Sequence, residues 1–264
     1  MGKMDDYQLR IEKAKEAIEG AEYILLGGGA GVSAAAGITY SGKRFTDNFG
    51  PFIRKFDLTD MYSSGFYPFP TQEDRWGYWA KRIRLNRFET GPTKLYQDIY
   101  RLVKDKQYFV LTTTLDSQFE LAGFSPDKVF ETHGNYRYLQ CAVGCHDRLY
   151  NNELLIRDMV ENTVDCKIPH ELVPKCPVCG DEMAPNIRIN KCFVQDEKFY
   201  ELEALYKNFV LESIGKERLF IGLGVKDEPL VLLKKGDPDH FEKKVGTIIS
   251  FNEDIQEIVP ALSK

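Results

Sequence analysis

Four cysteines, Cys141, Cys145, Cys176 and Cys179, stand in two knuckles thirty residues apart. The Cys-x3-Cys and Cys-x2-Cys-Gly spacings let four thiolates converge. Four sulfurs suit tetrahedral zinc in a closed structural site with no position left for water. The second knuckle, KCPVCG, carries a Pro and a Gly that ease the turn around a metal. His146 adjoins Cys145, but four cysteines complete the set, so a bystander is expected there. Cys166 and Cys192 fall outside the pattern and read as ordinary thiols. A second constellation is Gly29-Ala30-Gly31-Val32-Ser33-Ala34, directly after the apolar run Tyr23-Ile24-Leu25-Leu26. It fits G-x-G-x-x-[GA], in which a tight turn lets the backbone and a helix N-terminus approach a pyrophosphate. A hydride-transfer enzyme would next show an acid closing a second strand. Asp47, Asp57 and Asp60 fall in that zone with no strand before them, which disfavours a dehydrogenase. His133 follows an apolar run and precedes Gly134 at a sheet end. An imidazole with a pKa of about 6.5 is available there as a proton acceptor at neutral pH.

These groups need elements to hold them. Residues 5–19 place Tyr7, Ile11, Ala14 and Ile18 on one helical face, with Gly20 as the stop. Strands are expected at 23–26, 107–116, 128–134, 218–225 and 245–252, and a helix opening near Ser33. Pro92 suits the first turn of a helix whose apolar face continues through Leu95, Ile99 and Leu102. Buried strands alternating with helices predict an α/β fold, a Rossmann-like parallel sheet with a smaller inserted zinc-binding and helical domain. The Rossmann-like part is expected over 1–43, 89–135 and 191–264, a helical aromatic-rich module over 44–88 and a zinc-binding module over 136–190. Within 44–88, Pro and Gly predict short helices and loops, with Lys81, Arg82, Arg84 and Arg87 on a solvated side.

The chain has 264 residues, 43% hydrophobic and 28% charged, which suits a globular core. A net charge of −5 gives no support for a nucleic-acid partner. No 18-residue apolar run would span a membrane, and the charged opening MGKMDDYQLR lacks a signal-peptide core, so a cytoplasmic setting is expected.

With the glycine loop, TTTLD, ETHG and the split cysteine pairs in this order, the chain resembles a sirtuin over nearly its whole length. Residues 29–37, GAGVSAAAG, match that family's loop closely. The usual Pro-Asp-Phe-Arg that follows is replaced by Thr39-Tyr40-Ser41-Gly42, a departure similar to the macrodomain-associated microbial branch. That branch is described as protein ADP-ribosyltransferases acting on a lipoate-carrier protein.

The resemblance implies a Rossmann-like NAD domain and a zinc domain. It implies that Gly29, Ala30, Gly31 and Ser33 line the pyrophosphate of NAD. The family's Thr-Gln-Asn-Ile-Asp maps onto residues 112–116, so Thr113 and Thr114 would border the cofactor and Asp116 would be the acid of the nicotinamide pocket. Gly222 and Gly224 match a late glycine-rich turn near the adenosine, although the usual Thr-Ser is missing. Asn252 matches an Asn that contacts the adenine ribose. His133 matches the catalytic His, while the microbial branch often has Gln there and Asp at Asn135. Thr114 stands where the family has Asn; it keeps a hydroxyl but loses the amide's paired donor and acceptor. His133, Thr114 and Asn135 are thus the candidate catalytic positions.

The implied activity is sirtuin-type cleavage of the nicotinamide–ribose bond, with transfer of ADP-ribose to a protein acceptor. The alternatives are NAD-dependent lysine deacylation and a degenerate NAD or ADP-ribose sensor. The implied partner is a protein, either a lipoyl carrier or acyl-lysine proteins, with no nucleic acid and no membrane.

Overall fold

The computed structural model describes residues 6–225, 228–234 and 247–263. The strands in chain order are β1 (Tyr23–Gly28), β2 (Gln107–Thr112), β3 (Val129–Glu131), β4 (Gly134–Cys141), β5 (Tyr150–Asn151), β6 (Met183–Ile187), β7 (Arg218–Val225), β8 (Glu228–Lys234) and β9 (Thr247–Phe251). The chain divides into two compact units. The first comprises Met1–Ala36, Pro92–His133 and Glu197–Lys264, and the second Gly37–Gly91 and Gly134–Asp196.

The first unit is built on a six-stranded sheet in the order β3-β2-β1-β7-β8-β9. β1 pairs in parallel with β2 and β7, and β2 with β3. β8 runs antiparallel to both β7 and β9. The strands β3, β2, β1 and β7 are thus parallel as expected, and β8 makes the edge of the sheet mixed. β8 is also an addition to the expected strands: no helix intervenes to carry the chain back, so the return strand must reverse direction. The strand expected over 245–252 is Thr247–Phe251, and Val245 and Gly246 lie outside the described residues.

Side chains alternate across β1. Ile24 and Leu26 enter a core with Ile11, Ile99, Val110 and Ile221, whereas Leu25 joins Phe109 and Phe130 on the opposite face. Phe199, Leu202 and Phe209 of the helix Glu197–Glu212 cover that second face. Both faces are buried, as near-continuous apolar strands require. The helix Asp6–Gly20 forms as expected. The helix near Ser33 starts earlier, at Ala30, with Gly29 as its extended N-cap. Pro92 lies outside the helix Lys94–Val103, because Thr93 is the cap and its N–H is taken by Gln118 Oε1 at 2.9 Å.

The second unit holds a three-stranded antiparallel sheet, β5-β4-β6, and the helices of the aromatic segment. The segment forms short helices with loops between them, as expected: Lys43–Phe56, Met61–Ser64 and Gln72–Ile83, the last running on into Arg84–Phe88, and the first is bent in its middle. Its Gly-Pro pair produces only a kink at Phe49, where φ is −113°. Phe45, Phe49, Phe52 and Phe56 still share a buried face and pack with Tyr78 and Phe69.

Arg82 corrects another expectation. It is 4% exposed, stands 4.7 Å from the Trp79 ring and 5.1 Å from the Tyr40 ring, and donates to Met61 O and, at 3.1 Å, to Tyr136 Oη. Arg87 is buried as well. A guanidinium lies flat on aromatic faces and donates along its edge, so a basic run can turn inward where aromatics surround it. Burial alone would lower the pKa of Arg82, but the neighbouring tyrosines Tyr136, Tyr78 and Tyr40 outweigh it and hold it above its ordinary value.

Candidate functional site

The glycine loop is shaped first by its own sheet. Gly28 closes β1 opposite Thr112 and Leu223, and Gly29 N–H donates to Leu223 O at 2.9 Å. A Cβ on Gly31 would sit 2.7 Å from Gly224 Cα, and Gly224 itself has φ +58°. The close approach explains Gly29, Gly31 and Gly224 together, since backbone meets backbone with no room for a side chain. Gly222 and Gly224 lie within strand β7, as the strand expected over 218–225 predicts, with Gly222 opposite Gly27 and Val231; the turn that the resemblance implies is part of this strand. Ala30 and Gly31 are exposed in the first helical turn, where N–H groups lack intrahelical acceptors.

The loop and the Thr-Leu-Asp segment meet through buried polar groups. Ser33 Oγ donates to Asp116 Oδ2 at 2.6 Å, and Ser33 is 3.0 Å from the Tyr96 hydroxyl. Because the single Ser33 proton goes to the carboxylate, Tyr96 must be the donor in the second bond. The result is a chain from Tyr96 through Ser33 to Asp116. Asp116 Oδ1 also accepts from Gln118 N at 3.1 Å. Burial, reinforced by the Asp116 charge, pushes the Tyr96 hydroxyl well above its ordinary value and keeps it a proton donor. The residue between, Ser117, is in the left-handed region at φ +55° and is buried. A strained serine beside a buried acid is a common mark of a functional turn.

Thr114 is 5% exposed and locked by Thr112. Thr112 Oγ1 donates to Gly28 O at 3.0 Å and accepts from Thr114 N at 3.0 Å. The 2.9 Å bond between the two hydroxyls must then use the Thr114 proton. Thr114 thus offers a ligand only an acceptor, where an Asn would offer both roles. Thr113 is exposed, with its N–H on Gly28 O.

His133 lies half-buried in the turn after β3. Asn135, in β4, accepts from Arg137 N at 2.8 Å and belongs to the second unit. Asn252 follows β9 and is exposed. Its N–H donates to Glu253, which is clamped by Arg10 at 2.6 Å. Three residues that touch or adjoin the expected positions are not singled out in the sequence: Tyr96 beside Ser33, Ser117 beside Asp116, and Arg10 on Glu253. Tyr96 sits one position from the expected apolar stripe of its helix, and no motif marks any of the three.

The four expected cysteines do converge, with all four sulfurs within 4.8 Å of one another. Cys141 and Cys179 sulfurs are 3.7 Å apart, and Cys145 and Cys176 3.6 Å. Burial opposes ionisation of Cys141 and Cys176. Backbone N–H groups of Cys145 and Val143, and of Cys179 and Val178, outweigh it and hold both thiols low, Cys176 at about 6. A compact all-thiol donor set of this kind fits zinc. Cys166 and Cys192 stand outside it. His146, expected as a bystander, is not part of the converging group, and its Nδ1 is 3.0 Å from Cys145 Sγ.

Comparison with known proteins shows the family and the fold. The Sir2 family model matches residues 29–207, more than half of the chain. A Protein ADP-ribosyltransferase of Staphylococcus aureus is 34% identical over 223 residues, covering 84% of this chain and 71% of the relative. An NAD-dependent protein deacetylase of Clostridium perfringens is 29% identical over 189 residues, covering 70% and 67%. Among solved structures, a mutant Sir2 homologue in complex with 2′-O-acetyl ADP ribose aligns over 95% of this chain and 94% of that one, with a TM-score of 0.59 and 19% identity. Among the described residues, no helix is long and apolar enough to cross a membrane.

Proposed function

The chain belongs to the Sir2 family, and from that premise we propose that it is an NAD-dependent enzyme that cleaves the nicotinamide–ribose bond and transfers ADP-ribose to a protein acceptor. The observation that carries the reading is the buried Ser33–Asp116 bond, which ties the glycine loop to the Thr-Leu-Asp segment. Bound NAD supplies the ADP-ribosyl group and the leaving nicotinamide. The open first turn at Ala30 and Gly31 offers backbone N–H groups to a pyrophosphate. Asp116, fixed by Ser33 and Gln118 N, is held in one orientation and would face the nicotinamide end of the cofactor on this reading. Thr114, whose hydroxyl proton goes to Thr112, would accept a hydrogen bond from a ribose hydroxyl and give none. Gly222, Gly224 and Asn252 border the adenosine on this reading, with Thr113 alongside Thr114.

Similarity to the staphylococcal transferase favours a protein side chain as acceptor. The altered 39–42 segment favours a lipoyl-carrier protein. The second reading, lysine deacylation, rests on His133, which that chemistry uses as a proton acceptor, and on the clostridial relative. Cys141, Cys145, Cys176 and Cys179, whose sulfurs lie within 4.8 Å of one another, would hold structural zinc. Free thiols and a thiolate metal cluster suit a reducing, cytoplasmic setting.

The test is nicotinamide release from NAD with a lipoylated carrier protein, and separately with an acyl-lysine peptide. Release that depends on the carrier and on Asp116, but survives His133→Ala, supports transfer. Release that needs the acyl peptide and His133 replaces transfer by deacylation. Bound NAD with no release in either mixture would leave the sensor reading.

A further inference from the structure

Within the cysteine cluster, Cys145 faces an imidazole: His146 Nδ1 stands 3.0 Å from its sulfur and 3.9 Å from that of Cys176. The other ring nitrogen, Nε2, is 2.9 Å from the Tyr150 hydroxyl. We propose that His146 is a positioning residue of the metal centre, donating Nδ1–H to the Cys145 thiolate and so slowing loss of zinc from the cluster.

The tautomer follows from the partners. A thiolate accepts and cannot donate, so a lone pair on Nδ1 would face it unfavourably. With the proton on Nδ1, Nε2 becomes an acceptor, and the Tyr150 hydroxyl can donate to it. Tyr150 is itself fixed by the sheet, opposite Leu139 and two residues from the point where β4 delivers Cys141. The edge-on packing of the His146 and Tyr150 rings, 77° between planes, holds the imidazole in this direction. An outer partner that orients a ligand and satisfies its lone pair typically changes metal affinity by about 10–100-fold. His146 also lines an open cavity of about 670 Å³ with Gly144, Asp147, Lys191 and Cys192, so the sulfur it covers is near solvent.

The test uses the zinc-loaded full chain. Zinc transfer to a chromophoric chelator is timed for the wild type, His146→Ala and Tyr150→Phe, with circular dichroism as the check of fold. Cobalt-substituted protein reports the donor set through its thiolate-to-metal and ligand-field absorption. The expected result is about tenfold or faster release in His146→Ala and a smaller acceleration in Tyr150→Phe. A four-sulfur cobalt spectrum should persist in both, with its charge-transfer band shifted in His146→Ala. Release rates within about twofold of wild type in both variants would overturn the proposal. So would a wild-type spectrum of three sulfurs and one nitrogen that His146→Ala abolishes, because His146 would then be a ligand. If His146→Ala fails to fold, Tyr150→Phe decides alone: faster release sustains the proposal and an unchanged rate ends it.

Discussion

Gly31 faces Gly224 so closely that a Cβ added to Gly31 would lie 2.7 Å from the Gly224 Cα. The glycines that announce a nucleotide loop are therefore needed by the sheet itself. β7 passes beside the start of the helix Ala30–Ala35, and only bare backbone fits at the crossing.

Gly31→Ala should destabilise the fold by about 1–3 kcal/mol, the usual cost of forcing atoms into a filled space. Gly20→Ala is the control, since a Cβ on Gly20 would meet nothing within 4 Å and the residue ends a helix. It should change stability by about 1 kcal/mol or less, in the favourable direction. Urea unfolding of both variants checks this. A neutral Gly31→Ala would mean that the two backbones are not in contact.

Ser33→Ala removes a donor from the buried Asp116 carboxylate. Hydrogen bonds to charged groups are worth about 1.5–3 kcal/mol, and a loss of that size is expected in unfolding. Nicotinamide release should fall at least about tenfold, equivalent to about 1.4 kcal/mol of barrier. Wild-type stability together with wild-type turnover would remove this bond from the site.

Arg82 should resist conservative replacement. Arg82→Ala should cost about 2 kcal/mol or more from the lost contacts with Trp79 and Tyr40 alone. Arg82→Lys should recover little of this, because one ammonium cannot reproduce the planar fork that donates to both Met61 O and Tyr136 Oη. Chemical denaturation distinguishes the two, and full recovery by Lys would show that only the charge matters.

The metal motif and the glycine loop can be read from the chain because both are local. Two knuckles state their own spacing, and a strand followed by glycines states its own turn. The rest depends on partners distant in sequence. The strand that carries Gly222 and Gly224 is legible over 218–225, but nothing near Gly224 says that it must pass Gly31. Asp116 is legible in its motif, but its connection to Ser33 and Tyr96 requires the sheet. The basic run at 81–87 reads as solvated because charge usually is. Only the aromatic ring positions around Arg82 reverse that sign, and those rings come from residues 40, 79 and 136. The run 228–234 lacks an intervening helix, so a rule that alternates strand and helix passes over β8.

The Arg10–Glu253 clamp, beside Asn252, sets an acid limit. Hydrogen bonds from Arg10 hold the Glu253 carboxyl at about 2, below its ordinary 4.5. A depressed carboxylate stabilises the fold above its unfolded value, and that contribution disappears as pH falls through the folded one. Stability should therefore decline between pH 4.5 and 2 in the wild type. Both side chains remain partly exposed, at 24% and 32%, so the loss should be no more than about 1 kcal/mol. Glu253→Gln should flatten this part of the pH profile. An equally steep decline in Glu253→Gln would assign the acid limit to other carboxylates.

The most direct test of the central claim is the intact mass of a lipoylated carrier protein after incubation with this enzyme and NAD. ADP-ribosyl transfer predicts a carrier heavier by one ADP-ribose, formed in step with free nicotinamide and lost in Asp116→Asn. A carrier of unchanged mass while an acyl-lysine peptide loses its acyl group would contradict it.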